Sequence, residues 1–252
     1  MEKKNQLHQL LAVESDLRQQ SKKITQEARE TFQSRRDHFD GMSKTYKHNV
    51  EDEAGRIMEI PPEEKLIVTT VDEKMNFVQG ILSRTLDVMV SKEETNASGT
   101  AVAHVEIGSG SYEMSATALL ALEGFLKEIR TVYDLIPTLD PVREWTKDGD
   151  REGAFKTKEL QTFRTEKKAE VIVLAEATKE FPAQTNLVNV DRQVGVFSTV
   201  YKSGRFTVKR KADCIANIDS LLREVKKARS SANRVEAKNI KIAKAIFEAI
   251  NK

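Results

Sequence analysis

Apolar residues between positions 115 and 135 recur at three- and four-residue steps: Leu119, Leu120, Leu122, Phe125, Leu126, Ile129, Val132 and Tyr133. That spacing predicts one helix with a nearly continuous apolar surface, on which Glu123, Lys127, Glu128 and Arg130 keep one side wet. It is too short and too interrupted by charge to span a bilayer, so other elements or a partner must cover it. A second helical pattern, over residues 4–35, has only a thin seam: Leu7, Leu10, Leu11, Leu17, Ile24, Ala28 and Phe32. The seven-residue spacing of Leu10, Leu17 and Ile24 fits a coiled-coil type of contact, with another helix of this chain or of a neighbouring copy. Asp40-Gly41 predicts a break after it.

Pro61-Pro62 closes an acidic connector over 49–65. Leu66, Ile67 and Val68 then read as a short buried strand. Thr70 and Glu73 have the spacing of a capping box, opening a helix with Met75, Phe77, Val78, Ile81, Leu82, Leu86 and Met89 on one face and Gly80 offering close approach. After a polar loop over 91–100, the alternation Ala101, Ala103, Val105, Ile107 predicts a strand. Gly108-Ser109-Gly110 turns it into a return strand over 111–114. Asp140-Pro141 reads as the start of a short helix over 142–145.

Strands are expected at 158–167 and 169–175, joined tightly through 165–168. Val171, Ile172, Val173 and Leu174 would be buried on both sides. Residues 191–203 fit a helix (Val194, Phe197, Val200, Tyr201) or a strand (Val194, Val196, Ser198, Val200); Asp191 as a cap and Gly204 as a close favour the helix. A helical hairpin follows, with Ile218, Leu222 and Val225 on one member and Ile240, Ile246 and Phe247 on the other. The fold class is therefore α+β: a long N-terminal helix, a small mixed or antiparallel sheet packed by the central apolar helix, and a C-terminal helical hairpin. The matching division is a helical arm (1–48), a core domain (49–204) and a basic hairpin (205–252).

At 252 residues, 39% hydrophobic and 32% charged, the chain can bury a core and lies far from disordered composition. Cys214 stands alone, and no apolar stretch follows a basic start, which points to a reducing cytoplasm. The net charge of +2 conceals a polarity: +3 over residues 1–50, −11 over 51–150, +1 over 151–200 and +9 over 201–252. An acidic middle and a basic end fit contacts between subunits or a tail facing nucleic acid.

The runs LDPVREWTKD (139–148), FKT (155–157) and FPAQT (181–185) and the turn Lys202-Ser203-Gly204 resemble an uncharacterised bacterial family. The similarity runs from about residue 7 to residue 233. It implies a bacterial or phage origin and no particular activity.

Catalytic and cofactor chemistry finds no pattern here. His8, His38, His48 and His104 are scattered without a second ligand at metal-site spacing. Gly108 and Gly110 fit a hairpin turn rather than a phosphate loop, and no Gly-x-Ser-x-Gly elbow is present. Cys214, between Asp213 and Ile215, reads as a small packed residue. The expectation is a non-enzymatic cytoplasmic protein without cofactor, metal, membrane or small-molecule partner, which assembles with copies of itself, a closed ring being one arrangement. Leu7, Leu10, Leu17, Ile24 and Trp145 are the candidate interface residues, and Trp145 reads alternatively as an anchor between loop and core. The alternative function is RNA or DNA binding through Lys209, Arg210, Lys211, Arg223, Lys226, Lys227 and Arg229.

Overall fold

A computed structural model describes residues 7–49, 59–97, 101–177 and 182–234, with side chains from Leu11 onward. The fold is α+β, with antiparallel sheets. Its elements are α1 (Leu7–Ser34), β1 (Asp40–His48), β2 (Glu63–Lys65), α2 (Val71–Ala97), β3 (Val102–Ile107), β4 (Gly110–Ser115) and α3 (Ala116–Leu135). There follow β5 (Trp145–Lys147), β6 (Phe155–Thr157), β7 (Leu160–Ala175), β8 (Gln184–Ser203) and α4 (Val208–Ala232). The expected acidic connector lies mostly, and the second helix of the C-terminal hairpin wholly, outside the described residues.

The chain divides into two compact units, neither of them one continuous stretch. The first takes Met1–Glu27, Val78–Asp134 and Ala212–Lys252. Its core is the predicted apolar face of α3, with Ala118, Leu119 and Leu122 packed among Val105 and Met114 of the β3–β4 hairpin and Val225, Ala228 and Ala232 of α4. Ser115 caps α3 by accepting from the Ala118 N–H at 3.2 Å. Glu123 departs from expectation: it is 4% exposed, not wet, because Lys127 and Arg229 reach it at 2.7 and 3.1 Å. The polar stretch 91–97 is helical rather than a loop. There Lys92 donates to Glu14 of α1 at 2.8 Å, and Glu94 accepts from the Ser115 N–H at 2.6 Å. Gly80 serves no close approach, since a Cβ there meets open space.

The second unit, Ala28–Phe77 and Leu135–Lys211, holds a six-stranded sheet ordered β2-β1-β8-β6-β5, with β7 pairing β8 as well. Its core gathers Phe32, Phe39, Val71, Met75, Ile136, Leu139 and Phe206. The capping box forms as its spacing predicts: the Glu73 N–H donates to Thr70 Oγ1 at 3.1 Å and the Thr70 N–H to Glu73 Oε2 at 2.9 Å.

Five expectations change in this unit. Asp40-Gly41 opens β1 instead of ending structure there, and a Cβ at Gly41 would stand 2.8 Å from the Lys65 carbonyl of β2. Residues 66–68 form no strand: only Ile67 is buried, and Arg151 holds the segment by donating to the Ile67 and Val68 carbonyls at 2.6 and 3.4 Å. Residues 142–145 form no helix, because the Asp140 carboxylate accepts from the Val142 N–H in a turn and Trp145 pairs with Thr157. Residues 165–168 lie inside one continuous strand, β7. Residues 191–203 are strand, since β8 is claimed by β1 on one side and by β7 and β6 on the other.

Candidate functional site

The β7–β8 hairpin leaves the sheet. Near the body, β8 residues 195–203 pair with β1 and the Val194 carbonyl accepts from the Asn49 N–H; beyond Val194, β7 and β8 pair only with each other among the described residues. The distal ribbon, residues 165–175 against 184–193, is roughly 35 Å long at the usual strand rise. Alternation along a strand divides its side chains between two faces, and opposed residues share a face. Ala169, Val171, Val173 and Leu187 occupy one face; Ile172, Val188 and Val190 occupy the other. The expected burial on both sides is overturned: Val171 is 60% exposed, Leu174 66% and Leu187 67%. Nothing in the described chain lies against either face.

Charges on the ribbon cancel. Glu166, Glu170 and Asp191 oppose Lys167, Lys168 and Arg192, with Glu166 opposite Arg192 and Lys167 opposite Asp191 in the ladder. Arg192 also pairs with Glu170, and Arg164 reaches Glu166 at 3.0 Å. The run Val171–Leu174 carries no charge at all.

The model of a family of unknown function (DUF7873) matches residues 4–252. The chain belongs to that family. No curated protein and no solved structure matches it significantly. Three of the runs that resemble the family meet in this DUF7873 chain at one end of the sheet. Asp140, Arg143 and Trp145, then Phe155–Thr157, then Lys202 and Ser203 are joined by the pairings Trp145↔Thr157 and Phe155↔Ser203. The first and last of these runs border a cleft of about 250 Å³, through Asp140, Arg143, Trp145, Lys202 and Ser203, whose further walls are Asp40, Gly41, Tyr201 and Arg205. Trp145 is half-buried there and donates Nε1–H to the Asp140 carbonyl at 2.8 Å. Arg205 pairs with Asp40, which also accepts from Ser203 Oγ at 3.2 Å. Asp148 below them is held under the usual carboxylate range: its burial pushes it up, but Lys156 at 2.9 Å, the Asp150 N–H and Lys202 outweigh that. The fourth run, at 181–185, sits at the far end of the arm, with residue 181 outside the described set.

Leu17 and Ile24 are half-buried, the Leu17 carbonyl accepts from Thr85 Oγ1 of α2 at 3.3 Å, and the side chains of Leu7 and Leu10 lie outside the described residues. The seven basic candidates of α4 do not form one face. Arg210 pairs with Asp72, Lys211 donates to the Ile136 carbonyl at 2.9 Å, Lys227 meets Glu224 at 2.8 Å and Arg229 meets Glu123. Lys209, Arg223 and Lys226 point to solvent. Among the described residues, the pairs Asp72–Arg210 and Glu123–Arg229 thus join the acidic middle of the sequence to its basic end, one pair in each unit.

Among the described residues no group of three or more His, Cys, Asp or Glu is placed to hold a metal ion, and no helix is long and apolar enough to cross a membrane. The sequence pattern marks strands here but not an arm, because an apolar run reads the same whether it is buried on both faces or wet on both. The signal available was four successive uncharged apolar residues in a chain 32% charged.

Proposed function

We propose that the protein is a structural, non-enzymatic one that assembles with copies of itself, and that the distal β7–β8 ribbon is its principal contact. The observation that carries this reading is a long two-stranded ribbon with apolar side chains on both faces and no third layer among the described residues. A lone two-stranded hairpin is marginally stable in water and acquires stability from another strand or a covering layer. Uncharged segments such as Val171–Leu174 on an open edge are also a hazard unless covered. A second copy is the favoured occupant because the ribbon is electrically neutral with alternating signs, so two of them can meet without net repulsion, as a self-complementary two-fold contact requires. Apolar burial, rather than the charge blocks of the chain, supplies the attraction.

Size-exclusion chromatography with light scattering tests it. The wild type is expected to run as an oligomer in both low and high salt, and I172K/V173K, which puts one charge on each face of the ribbon, as a monomer with unchanged far-UV circular dichroism. A wild type that is monomeric at every salt concentration refutes the reading.

A further inference from the structure

One face of the six-stranded sheet collects rings and cations in a way that assembly through the arm does not use. The ladder places Tyr46 opposite Phe197, Met42 opposite Tyr201 and Arg164 opposite Gly195, while Phe155 opposite Ser203 brings Thr157 and its partner Trp145 to the same side. Residues opposed across strands, or two apart along one, share a face. Five aromatic rings, Tyr46, Phe197, Tyr201, Phe155 and Trp145, therefore stand on one surface.

A cation lies over each of three of these rings. The Arg143 guanidinium is 3.6 Å from the Tyr201 centroid, Lys44 Nζ is 4.8 Å from that of Phe197, and Arg164 is 5.9 Å from that of Tyr46. Tyr46 and Phe197 touch, with centroids 4.8 Å apart. Tyr46 lies across Gly195, where any Cβ would enter its ring. At the end of the face, Trp145, Tyr201 and Arg143 continue into the 250 Å³ cleft that Lys202 and Arg205 also line.

The plainer account is that cations cap rings on a wet sheet, each pair contributing roughly 0.5–1 kcal/mol at an exposed site. It explains the pairs singly. It does not explain why five half-buried rings share one face that ends in a cleft lined by Arg143, Lys202 and Arg205 together with Asp40 and Asp140. Arg143 makes no side-chain hydrogen bond among the described residues and meets Asp140 only as a loose ion pair at 3.5 Å. Its planar group thus presents an outer face for a base and an N–H edge for a phosphate.

We propose that this face binds single-stranded nucleic acid, with bases stacked on the Tyr46, Phe197 and Tyr201 rings or the guanidiniums over them, and a phosphate at the Arg143 edge of the cleft. Glu63, Asp140 and Glu166 stand beside the cations at 3.5, 3.5 and 3.0 Å, so the surface is nearly balanced in charge. Stacking, worth about 1–3 kcal/mol per base, then outweighs bulk attraction. With three to four phosphate-facing cations at most, log affinity against log salt has a slope no steeper than about −3. Duplex, whose bases are already stacked, binds far more weakly.

The experiment titrates the full chain against a labelled mixed-sequence oligonucleotide of about 12 nucleotides, the length of a typical single-strand site. Anisotropy and quenching of Trp145, the sole tryptophan, are followed together. The expected result is saturable binding with concurrent quenching, weakened about tenfold or more in K44Q/R143Q/R164Q, as loss of stacked and phosphate-facing cations requires. The substitution K209Q/R223Q/K226Q, on exposed positions of α4, leaves affinity unchanged. The proposal is overturned by absence of binding at about 50 mM salt, by loss of binding in the α4 variant instead, or by a mononucleotide that quenches Trp145 as strongly as the oligonucleotide at equal concentration.

Discussion

Glu123 is a carboxylate buried on the most apolar helix of the chain, and burial of a charge is tolerated only with partners. Lys127, one turn on, hydrogen-bonds it at 2.7 Å and is the main reason its acidity is raised; burial opposes this, and Arg229 and Lys226 of α4 add to it. Arg229 stands 3.1 Å from the second carboxylate oxygen without good hydrogen-bond geometry, so the interaction is chiefly one of charge. Two substitutions separate these contributions. Glu123→Ala strands Arg229 beside Val225 and Ala228 and is expected to lower unfolding free energy by about 2–3 kcal/mol. Lys127→Ala removes only a partner that is largely in water and costs about 0.5 kcal/mol or less. Urea midpoints at neutral pH measure both, and equal effects would show that the carboxylate does not depend on α4. Helical periodicity could not have placed Glu123, because a wet glutamate and one met by a helix a hundred residues later occupy the same slot in the pattern.

What could be read at the level of elements follows from contrast between faces. α3, α2 and the β3–β4 hairpin each have one dry side, so their periods stand out, and local chemistry such as the Thr70–Glu73 box marks a start without any tertiary information. β1 has no such contrast: Ser43, Lys44 and Tyr46 are all half-buried, and only pairing with β8 makes the segment a strand. β8 carries a helix-compatible spacing of Val194, Phe197 and Tyr201, but its neighbours decide its state, as strand preference depends on cross-strand partners more than on the residue itself. The arm is the extreme case, and its dynamics give a test. In the I172K/V173K monomer, amides of residues 165–175 should exchange with solvent orders of magnitude faster than those of Val196–Ser203, since exchange follows local opening. In the wild type they should be protected if it assembles as proposed. Equal, strong protection of the distal ribbon in a proven monomer would mean that it needs no covering partner.

On the scale of the whole molecule, some charges of the +9 and −11 blocks are paired internally among the described residues, as in Asp72–Arg210 and Glu123–Arg229, and pairs of this kind give a pH dependence. Each unit carries carboxylates whose acidity is raised: Glu123 and Asp219 in one, Glu73 and Asp148 in the other. For Asp219 the cause is its hydrogen bond to Arg130; for Glu73 and Asp148 burial pulls the other way and is outweighed by the Thr70 N–H and Arg151, and by Lys156. A carboxylate with a lower pKa in the folded than in the unfolded state binds its proton later on acidification. Between the two values the unfolded chain therefore holds more protons, and stability falls as pH falls. Ordinary values of 4.5 for Glu and 3.8 for Asp set the upper edge of that window, so the loss begins below about 4.5. The amines paired with carboxylates, Lys92 and Lys156, are shifted upward from 10.5, so their contribution is lost only above that pH. Thermal midpoints followed by circular dichroism should accordingly be flat from about pH 6 to 9 and drop steeply below 4.5. Asp148→Asn isolates one member, since its carboxylate is almost wholly buried against Lys156. The variant should be less stable at neutral pH and show a shallower acid limb, converging on the wild type as pH falls. A parallel displacement of the two curves at every pH would mean that Asp148 contributes through packing and not through its charge.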